Sequence, residues 1–178
     1  MNTLTIEYDG DVDSPCEMDG FWKVTSFNRK HTNFGDPPLD YYGNLNIGFR
    51  RKLSVGTAFL LDYFEHGTSI WSLRGEGPQC QWDTATGAGF IALDNPKDRP
   101  QQEKREEDAR NSLKTYNDWC NGLTFWYSLE KDGEVVDSCG GYIGDDIEYA
   151  AREARENFGP ITEVIGDAAD TVSHMDLK

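Results

Sequence analysis

The residues that most constrain the fold are Asp132 and Gly133, which lie between two runs of alternating apolar and polar residues. An Asp-Gly pair suits the two central positions of a type I′ turn, which joins neighbouring antiparallel strands. The runs at 123–129 and 134–138 therefore predict a β-hairpin. This hairpin is the best-defined pair of strands in the chain.

Further strands are indicated by short alternating or apolar runs that are bounded by turn residues. The expected strands cover residues 4–8, 21–27, 57–64, 69–73 and 89–93. Residues 28–46 are rich in Asn, Gly, Pro and Asp and are expected to form a loop. The pattern at residues 47–54 is ambiguous and is also compatible with a short helix.

Two helices are expected, one before and one after the hairpin. The first starts near Pro100, because proline is tolerated in the first helical turn, and it ends near Asn121. Its apolar stripe contains Ala109, Leu113, Tyr116 and Cys120. The second is expected to begin with Asp145 as its cap and Glu148 three residues later, and a Gly-Pro pair ends it. Its apolar stripe contains Ile147, Ala151, Ala154 and Phe158.

The order of elements is several strands, a helix, two strands and a second helix. This order predicts an α+β fold with a mainly antiparallel sheet and two main helices packed on one face. The length of 178 residues fits a single domain over residues 1–178. The C-terminal segment is acidic and has few apolar residues, so we expect a mobile tail from about residue 166.

The charge is strongly negative, with 32 acidic and 17 basic residues and a net charge of −15. A field of this size disfavours nucleic acids and anionic membranes as direct partners. Residues 1–20 hold six acids and no base, and residues 129–178 hold 13 acids and four bases. Residues 21–60 are basic instead, with six bases and two acids. This basic region is expected to bind an anion, to pair with the acidic tail of a second copy in a homodimer, or to be a solvated face.

The cysteine pattern and the N-terminus indicate a cytoplasmic protein. The four cysteines are dispersed without paired spacing, which is typical of reduced thiols. The N-terminus has no basic and apolar segments of the kind that form a signal peptide. No apolar run approaches the length of a membrane span.

The motifs for metals, phosphates and catalysis are incomplete. Asp9, Asp11 and Asp13 resemble the start of an EF-hand loop, but Ser and Gly stand where that loop needs Gly and Glu. The glycine-rich run at 139–144 lacks the G-x-G-x-x-G pattern and is followed by two aspartates, which suit the positive end of a helix. The three histidines have no metal-ligand spacing. We therefore expect no metal, no cofactor and no catalytic residues.

The segment around Trp82 and Asp83 is expected to be structural. It contains Gly87 and Gly89 and lies just before a predicted strand. Asp83 is expected to hydrogen-bond loop N–H groups, as in an Asx turn, while Trp82 packs in the core. A catalytic or metal site that assembles around Trp82 and Asp83 is the alternative.

Two blocks of the chain are similar to motifs of one family. The block at 82–91 reads W-D-T-A-T-G-A-G-F-I and looks like a W-D-S-G-x-x-G-F-I motif. The block at 132–139 reads D-G-E-V-V-D-S-C and looks like a D-G-E-x-V-D-S-C motif. Over most of residues 9–158 the chain thus resembles a family of small phage and mobile-element proteins. That family has no established activity, so the resemblance implies an accessory phage gene, a class that includes anti-restriction and anti-CRISPR proteins.

These observations predict a phage-encoded acidic protein that inhibits a host defence nuclease or surveillance complex by mimicking nucleic acid. It would act in the host cytoplasm by binding and not by catalysis. The expected partner-binding residues are Asp9, Asp11, Asp13, Glu17 and Asp19 in the N-terminal loop, and Asp145, Asp146, Glu148, Glu153 and Glu156 on the last helix. The alternatives are a phage accessory enzyme or metal-binding protein with a site near Trp82, and a dimeric interaction protein with no nucleic-acid role.

Overall fold

Strands dominate the computed structural model of the chain, which describes residues 1–18, 21–93 and 101–177. In chain order the elements are β1 (Asn2–Tyr8), β2 (Trp22–Ser26), α1 (Ile47–Ser54), β3 (Ala58–Glu65), β4 (Ser69–Leu73), β5 (Thr84–Leu93), α2 (Arg105–Cys120), β6 (Thr124–Lys131), β7 (Glu134–Ile143), α3 (Asp146–Phe158) and β8 (Glu163–Ile165). The predicted α+β class is confirmed. The strands form two four-stranded sheets, however, where the sequence predicted one.

The two ends of the chain fold together into one unit. We call Met1–Asp13 with Asp118–Lys178 the terminal unit. The strand order of its sheet is β7-β6-β1-β8, in which β1 is antiparallel to β6 and parallel to β8. β6 and β7 form the predicted hairpin, and both turn residues have the positive φ that a type I′ turn requires, 53° at Asp132 and 88° at Gly133.

The core of the terminal unit follows from the alternation of its strands. Leu4 and Ile6 on β1 are buried together with Phe125, Tyr127 and Leu129 on β6. The helix α3 covers this face with Ile147, Ala150, Ala151 and Ala154. Burial of each large aliphatic side chain contributes about 1.5–3 kcal/mol. The apolar stripe predicted for this helix is therefore its core-facing side.

The C-terminal segment is packed, contrary to the expectation of a mobile tail. After β8, which pairs with β1, the chain forms a short 3-10 helix at Ala169–Val172. Ala168, Val172 and Leu177 are buried in the core that α3 covers. The segment has few apolar residues, but nearly all of them are placed where they can be buried.

The middle of the chain, Ser14–Asn117, forms the central unit, which is inserted between β1 and β6. Its sheet has the order β2-β5-β3-β4, and all of its pairs are antiparallel. The ambiguous segment at 47–54 is the helix α1, whose Phe49 packs against Ala58 and Ala92. The expectation of one domain over the whole chain stays a prediction.

The first predicted helix belongs mainly to the central unit. Its expected start near Pro100 lies outside the described residues, and α2 begins at Arg105 after a 3-10 turn. Ala109, Leu113 and Tyr116 are buried as the stripe predicts. The side-chain amide of Asn117 bonds both the N–H and the carbonyl of Trp71, at 2.8 and 2.9 Å, and so ties α2 to β4.

The expected helix cap was wrong, and the glycine-rich run before it is not a phosphate loop. Asp145 precedes α3 but makes no capping side-chain hydrogen bond, because its helical backbone conformation (φ −69°, ψ −8°) differs from the extended one of a side-chain cap. The glycine-rich run at 139–144 is mostly strand, since β7 continues to Ile143. A glycine-rich strand at a sheet edge cannot serve as a phosphate-binding loop before a helix.

Candidate interaction surfaces

The net charge of the chain resides almost entirely in one unit. The terminal unit holds 18 acidic and 4 basic residues, a net charge of −14, whereas the central unit holds 14 acidic and 13 basic residues, a net charge of −1. The four bases and the N-terminal ammonium, which pairs with Asp132, can neutralise at most five of the eighteen carboxylates. Twelve of these carboxylates are exposed: Asp11, Asp13, Asp132, Glu134, Asp145, Asp146, Glu153, Glu156, Glu163, Asp167, Asp170 and Asp176.

The acidic loop that was predicted as one cluster is divided between the units. Asp11 and Asp13 are exposed in the terminal unit, whereas Glu17 is exposed in the central unit. Asp19 lies outside the described residues. The carboxylate of Asp9 has a structural role, because it accepts hydrogen bonds from the N–H groups of Asp11 at 3.1 Å and Gly141 at 3.3 Å.

The carboxylates predicted on the last helix lie mostly on its outer side. Asp146, Glu153 and Glu156 are exposed, opposite the buried alanines of α3. The Tyr149 hydroxyl donates to Glu153 at 2.9 Å, and this acceptor raises the pKa of Tyr149. Glu148 is only half-exposed and lies 3.6 Å from the imidazole Nε2 of His174. The outer side of α3 thus exposes three carboxylates, one aromatic ring and the guanidinium of Arg152.

A pocket of about 190 Å³ opens beside the start of α3. Three carboxylates line it, those of Asp118, Asp145 and Glu148. The rest of its lining is Leu123, Phe125, Gly144, Ile147 and Thr171. Carboxylates beside apolar surface suit the charged head and the alkyl stem of a lysine or arginine side chain. This pocket is the most specific feature of the acidic surface.

The expectation that Trp82 is buried was wrong, since its side chain is 86% exposed. Gly87 and Gly89 do have structural roles. Gly87 has a φ of 62°, and a Cβ at Gly89 would lie 2.2 Å from the carbonyl oxygen of Thr25. The loop before β5 is held by Asp62 of β3, whose carboxylate accepts from the N–H of Gly75 and of Gly87, each at 2.8 Å. The role assigned to Asp83 is therefore performed by Asp62.

Asp83 has different partners. Its Oδ2 atom lies 3.3 Å from both the Cys80 thiol and the His66 Nδ1 atom. The Asp83 carboxylate thus accepts the hydrogen bond of the Cys80 thiol. A catalytic thiol that histidine activates would instead donate to the imidazole. The alternative enzymatic site named Trp82 and Asp83, and the side chains that Asp83 contacts, Cys80 and His66, are not in the order that thiol chemistry requires.

Because Trp82 is exposed, Trp82→Ala should change the free energy of unfolding by no more than about 0.5 kcal/mol. The measurement is urea-induced unfolding followed by far-UV circular dichroism, which does not depend on the fluorescence of the removed ring. Trp22→Ala is the matched control, since Trp22 is buried and its indole donates to Asp108 at 2.7 Å. If the two variants lose equal stability, Trp82 is packed after all.

Ser26 and His31 form a serine–histidine pair, but its hydroxyl is buried. The Ser26 hydroxyl lies 2.8 Å from His31 Nδ1, and Ser26 has no exposed surface. The His31 ring contacts Tyr63 and Trp71 edge-on, so it is a packing element of the central unit. Within the described ranges, no group of three or more His, Cys, Asp or Glu side chains could hold a metal ion.

The four cysteines are free thiols, and only Cys139 is fully exposed. Burial raises the pKa of the Cys16 thiol, which accepts a hydrogen bond from the Val24 N–H at 3.4 Å.

No described helix combines the length and the apolar character that crossing a bilayer requires. Comparison of the chain with protein-family models, with curated proteins and with solved structures finds no match.

Proposed function

We propose that the chain is a binding protein whose terminal unit occupies the basic nucleic-acid groove of a partner protein and thereby inhibits it. The observation that carries this proposal is the segregation of charge, with 18 carboxylates and only 4 bases in the terminal unit. A groove that binds nucleic acid is lined by lysine and arginine, so it attracts such a surface and steers it into place.

Mimicry of nucleic acid requires many carboxylates on one surface. Duplex DNA carries about one charge per 1.7 Å of its axis, whereas side chains on successive helical turns stand about 5–6 Å apart. The helix α3 alone is therefore too sparse. The terminal unit adds the exposed carboxylates of Asp11 and Asp13, of the hairpin turn and of the C-terminal segment. Together these elements raise the number of exposed carboxylates in the unit to twelve.

The pocket beside α3 gives the proposed interface a specific contact. A lysine or arginine of the partner would place its charged head among Asp118, Asp145 and Glu148 and its alkyl stem against Ile147. One exposed ion pair contributes only about 0–1 kcal/mol. A basic side chain that enters a pocket is better desolvated, so it contributes more than the surrounding contacts.

The partner class follows from the resemblance to phage and mobile-element proteins. A gene of that kind commonly acts against the defence systems of its host, which are built on nucleases and nucleic-acid-guided complexes. We therefore propose a host defence nuclease or surveillance complex as the partner. The chain would act in the cytoplasm of the host by binding, without catalysis, metal or cofactor.

The test is affinity capture from a nuclease-treated bacterial lysate, followed by elution with duplex DNA and mass spectrometry. The proposal predicts capture of a nucleic-acid-binding protein that DNA releases. The triple variant D146N/E153Q/E156Q removes three exposed charges from α3. It should bind the same partner about tenfold more weakly, as expected from three exposed ion pairs of about 0.5 kcal/mol each.

The matched control removes three exposed charges from the central unit, as E65Q/E103Q/E107Q. Both variants have the same net charge, so a general effect of charge would weaken them equally. The proposal requires that only the α3 variant loses affinity. Equal affinity of all three proteins, or a captured partner that DNA cannot release, would contradict it.

A further inference from the structure

The central unit exposes a group of large apolar side chains that its core does not use. Tyr41 is 96% exposed, Tyr42 84% and Ile47 81%. Leu39 is about half-exposed at 47%. These four residues fall within nine positions of the chain. Exposure of so many large apolar groups in one segment is uncommon on a soluble surface unless a partner covers them.

The two tyrosines are presented by an ordered turn. Asp40 Oδ1 accepts hydrogen bonds from the N–H groups of Tyr42 at 2.9 Å and Asn44 at 3.0 Å. The Asp40 N–H donates to the Asn44 carbonyl at 2.7 Å, and the Gly43 N–H donates to the Asp40 carbonyl at 3.0 Å. The backbone of the turn is therefore held in place while both rings extend into solvent. Their centroids are 5.4 Å apart and their planes meet at 85°.

The helix α1 begins where this turn ends. Asn46 joins the two, since its N–H donates to the Pro38 carbonyl and its side chain caps α1 through the Phe49 N–H at 2.9 Å. Phe49 is buried, whereas Ile47, Arg50 and Arg51 are exposed. Positions three and four apart are neighbours on a helix surface, so Ile47 lies beside both arginines. Lys52 is exposed as well.

The charge around these residues is positive. Residues 28–54 contain five bases and two acids, Asp36 and Asp40. The carboxylate of Asp40 is already an acceptor for two N–H groups of the turn. The net charge of −15 argued against contact with nucleic acid, but the central unit carries only −1 of it. The central unit is therefore close to neutral and does not itself repel a nucleic acid strongly.

We infer that Tyr41, Tyr42, Ile47, Arg50, Arg51 and Lys52 form an aromatic-basic surface that binds single-stranded nucleic acid. Unpaired bases would stack on the two tyrosine rings, and phosphates would pair with the cations of α1. Aromatic platforms beside cations are how proteins bind single strands without sequence preference. This inference goes beyond the proposed function, because the surface lies on the central unit and binds an anionic ligand, whereas the terminal unit binds a basic groove.

Single strands fit this surface better than other anionic partners. A duplex hides its base faces and would leave the tyrosines exposed. A second copy of the chain could offer its acidic terminal unit, but a contact between two different surfaces of one chain does not close and leads to open polymers unless it forms a ring. A partner with both negative charge and open aromatic faces satisfies the tyrosines and the bases together.

The experiment measures fluorescence anisotropy of a labelled twelve-nucleotide oligothymidylate with the full chain at rising salt. Wild type should bind this strand more tightly than a duplex of equal length. The variant Y41A/Y42A should bind at least about tenfold more weakly, since each stacked base contributes about 1–3 kcal/mol. The variant R50A/R51A/K52A should lower the slope of log K against log salt by about 2, at roughly 0.7 per phosphate contact.

Two controls match these variants. Tyr149→Ala removes an exposed tyrosine of the terminal unit, and R74A/K104A removes exposed bases of the central unit outside the surface. Neither should change the affinity. Circular dichroism should show all variants folded, because the altered side chains are exposed. The inference fails if wild type does not bind the strand, if Y41A/Y42A binds as wild type does, or if the protein binds only duplex, only anionic vesicles or only itself.

Discussion

Asp62→Ala is expected to lower the free energy of unfolding by about 3–5 kcal/mol, because each donor left without an acceptor costs about 1–3 kcal/mol. Asp62 is only 2% exposed. Its carboxylate accepts from the N–H groups of Gly75 and Gly87, each at 2.8 Å, and from the Gln79 amide at 3.5 Å. Removing it leaves the N–H groups of Gly75 and Gly87 without this acceptor. Urea-induced unfolding of the variant and wild type measures the loss.

Two further variants separate the hydrogen bonds from the charge. Asp62→Asn keeps one acceptor oxygen, so it should lose less stability than Asp62→Ala. Asp83→Ala removes a carboxylate that is 32% exposed and contacts two side chains, those of Cys80 and His66. It should cost no more than about 1 kcal/mol. A variant Asp62→Ala with the urea midpoint of wild type would show that Asp62 does not hold the β4–β5 loop against β5.

Gly166→Ala should destabilise the terminal unit by about 3–5 kcal/mol, since it combines an unfavourable φ with the loss of buried contacts. Gly166 has a φ of 107°, and a Cβ there would lie 2.0 Å from the Ile6 carbonyl oxygen. The chain must then move away from β1. The hydrogen bond from the Tyr8 N–H to Asp167 at 3.0 Å and the burial of Ala168 and Val172 would be lost.

Gly133→Ala is the control for this prediction. Gly133 also has a positive φ, 88°, but nothing lies within 4 Å of its Cβ position. It should cost only about 1 kcal/mol, the cost of the conformation alone. Thermal unfolding of both variants, with limited proteolysis of the C-terminal segment, distinguishes crowding from conformation. Equal melting temperatures would mean that the segment from residue 166 is not packed against β1.

The elements that local patterns define were predicted well from the sequence. Asp132-Gly133 specifies its turn through the backbone angles of two residues, and the stripe on α3 is set by the spacing of its apolar residues. The parallel strand β8 was missed because it has three residues and depends on a partner at the opposite end of the chain. Such pairing leaves no periodic signal in the short strand itself.

The division into two units could not be predicted from local sequence patterns either. It depends on β1 pairing with β6 across the whole central unit. Without that pairing, the acidic residues of the N-terminal loop and of α3 appear as separate clusters. The structure assigns Asp11, Asp13 and α3 to one unit and places Glu17 in the other.

The sequence indicates the structural role of Asp62 but not the exposure of Trp82. Asp62 stands out in the sequence, since it is the one charged residue inside the apolar run A-F-L-L-D-Y-F. A lone carboxylate in such a strand indicates buried hydrogen bonding. Trp82 was expected to be buried because tryptophan usually is, but its exposure depends on how the loop before β5 turns.

The acidic surface of the terminal unit is the central claim, and competition with nucleic acid tests it most directly. Labelled duplex DNA is bound to the captured partner, and the full chain is titrated in at several salt concentrations. Wild type and E65Q/E103Q/E107Q should displace the DNA, and D146N/E153Q/E156Q should do so about tenfold less effectively. Binding of the chain to the partner without DNA should weaken as salt screens the exposed charges. A chain that binds the partner while the DNA stays bound, or whose affinity is independent of salt, would contradict it.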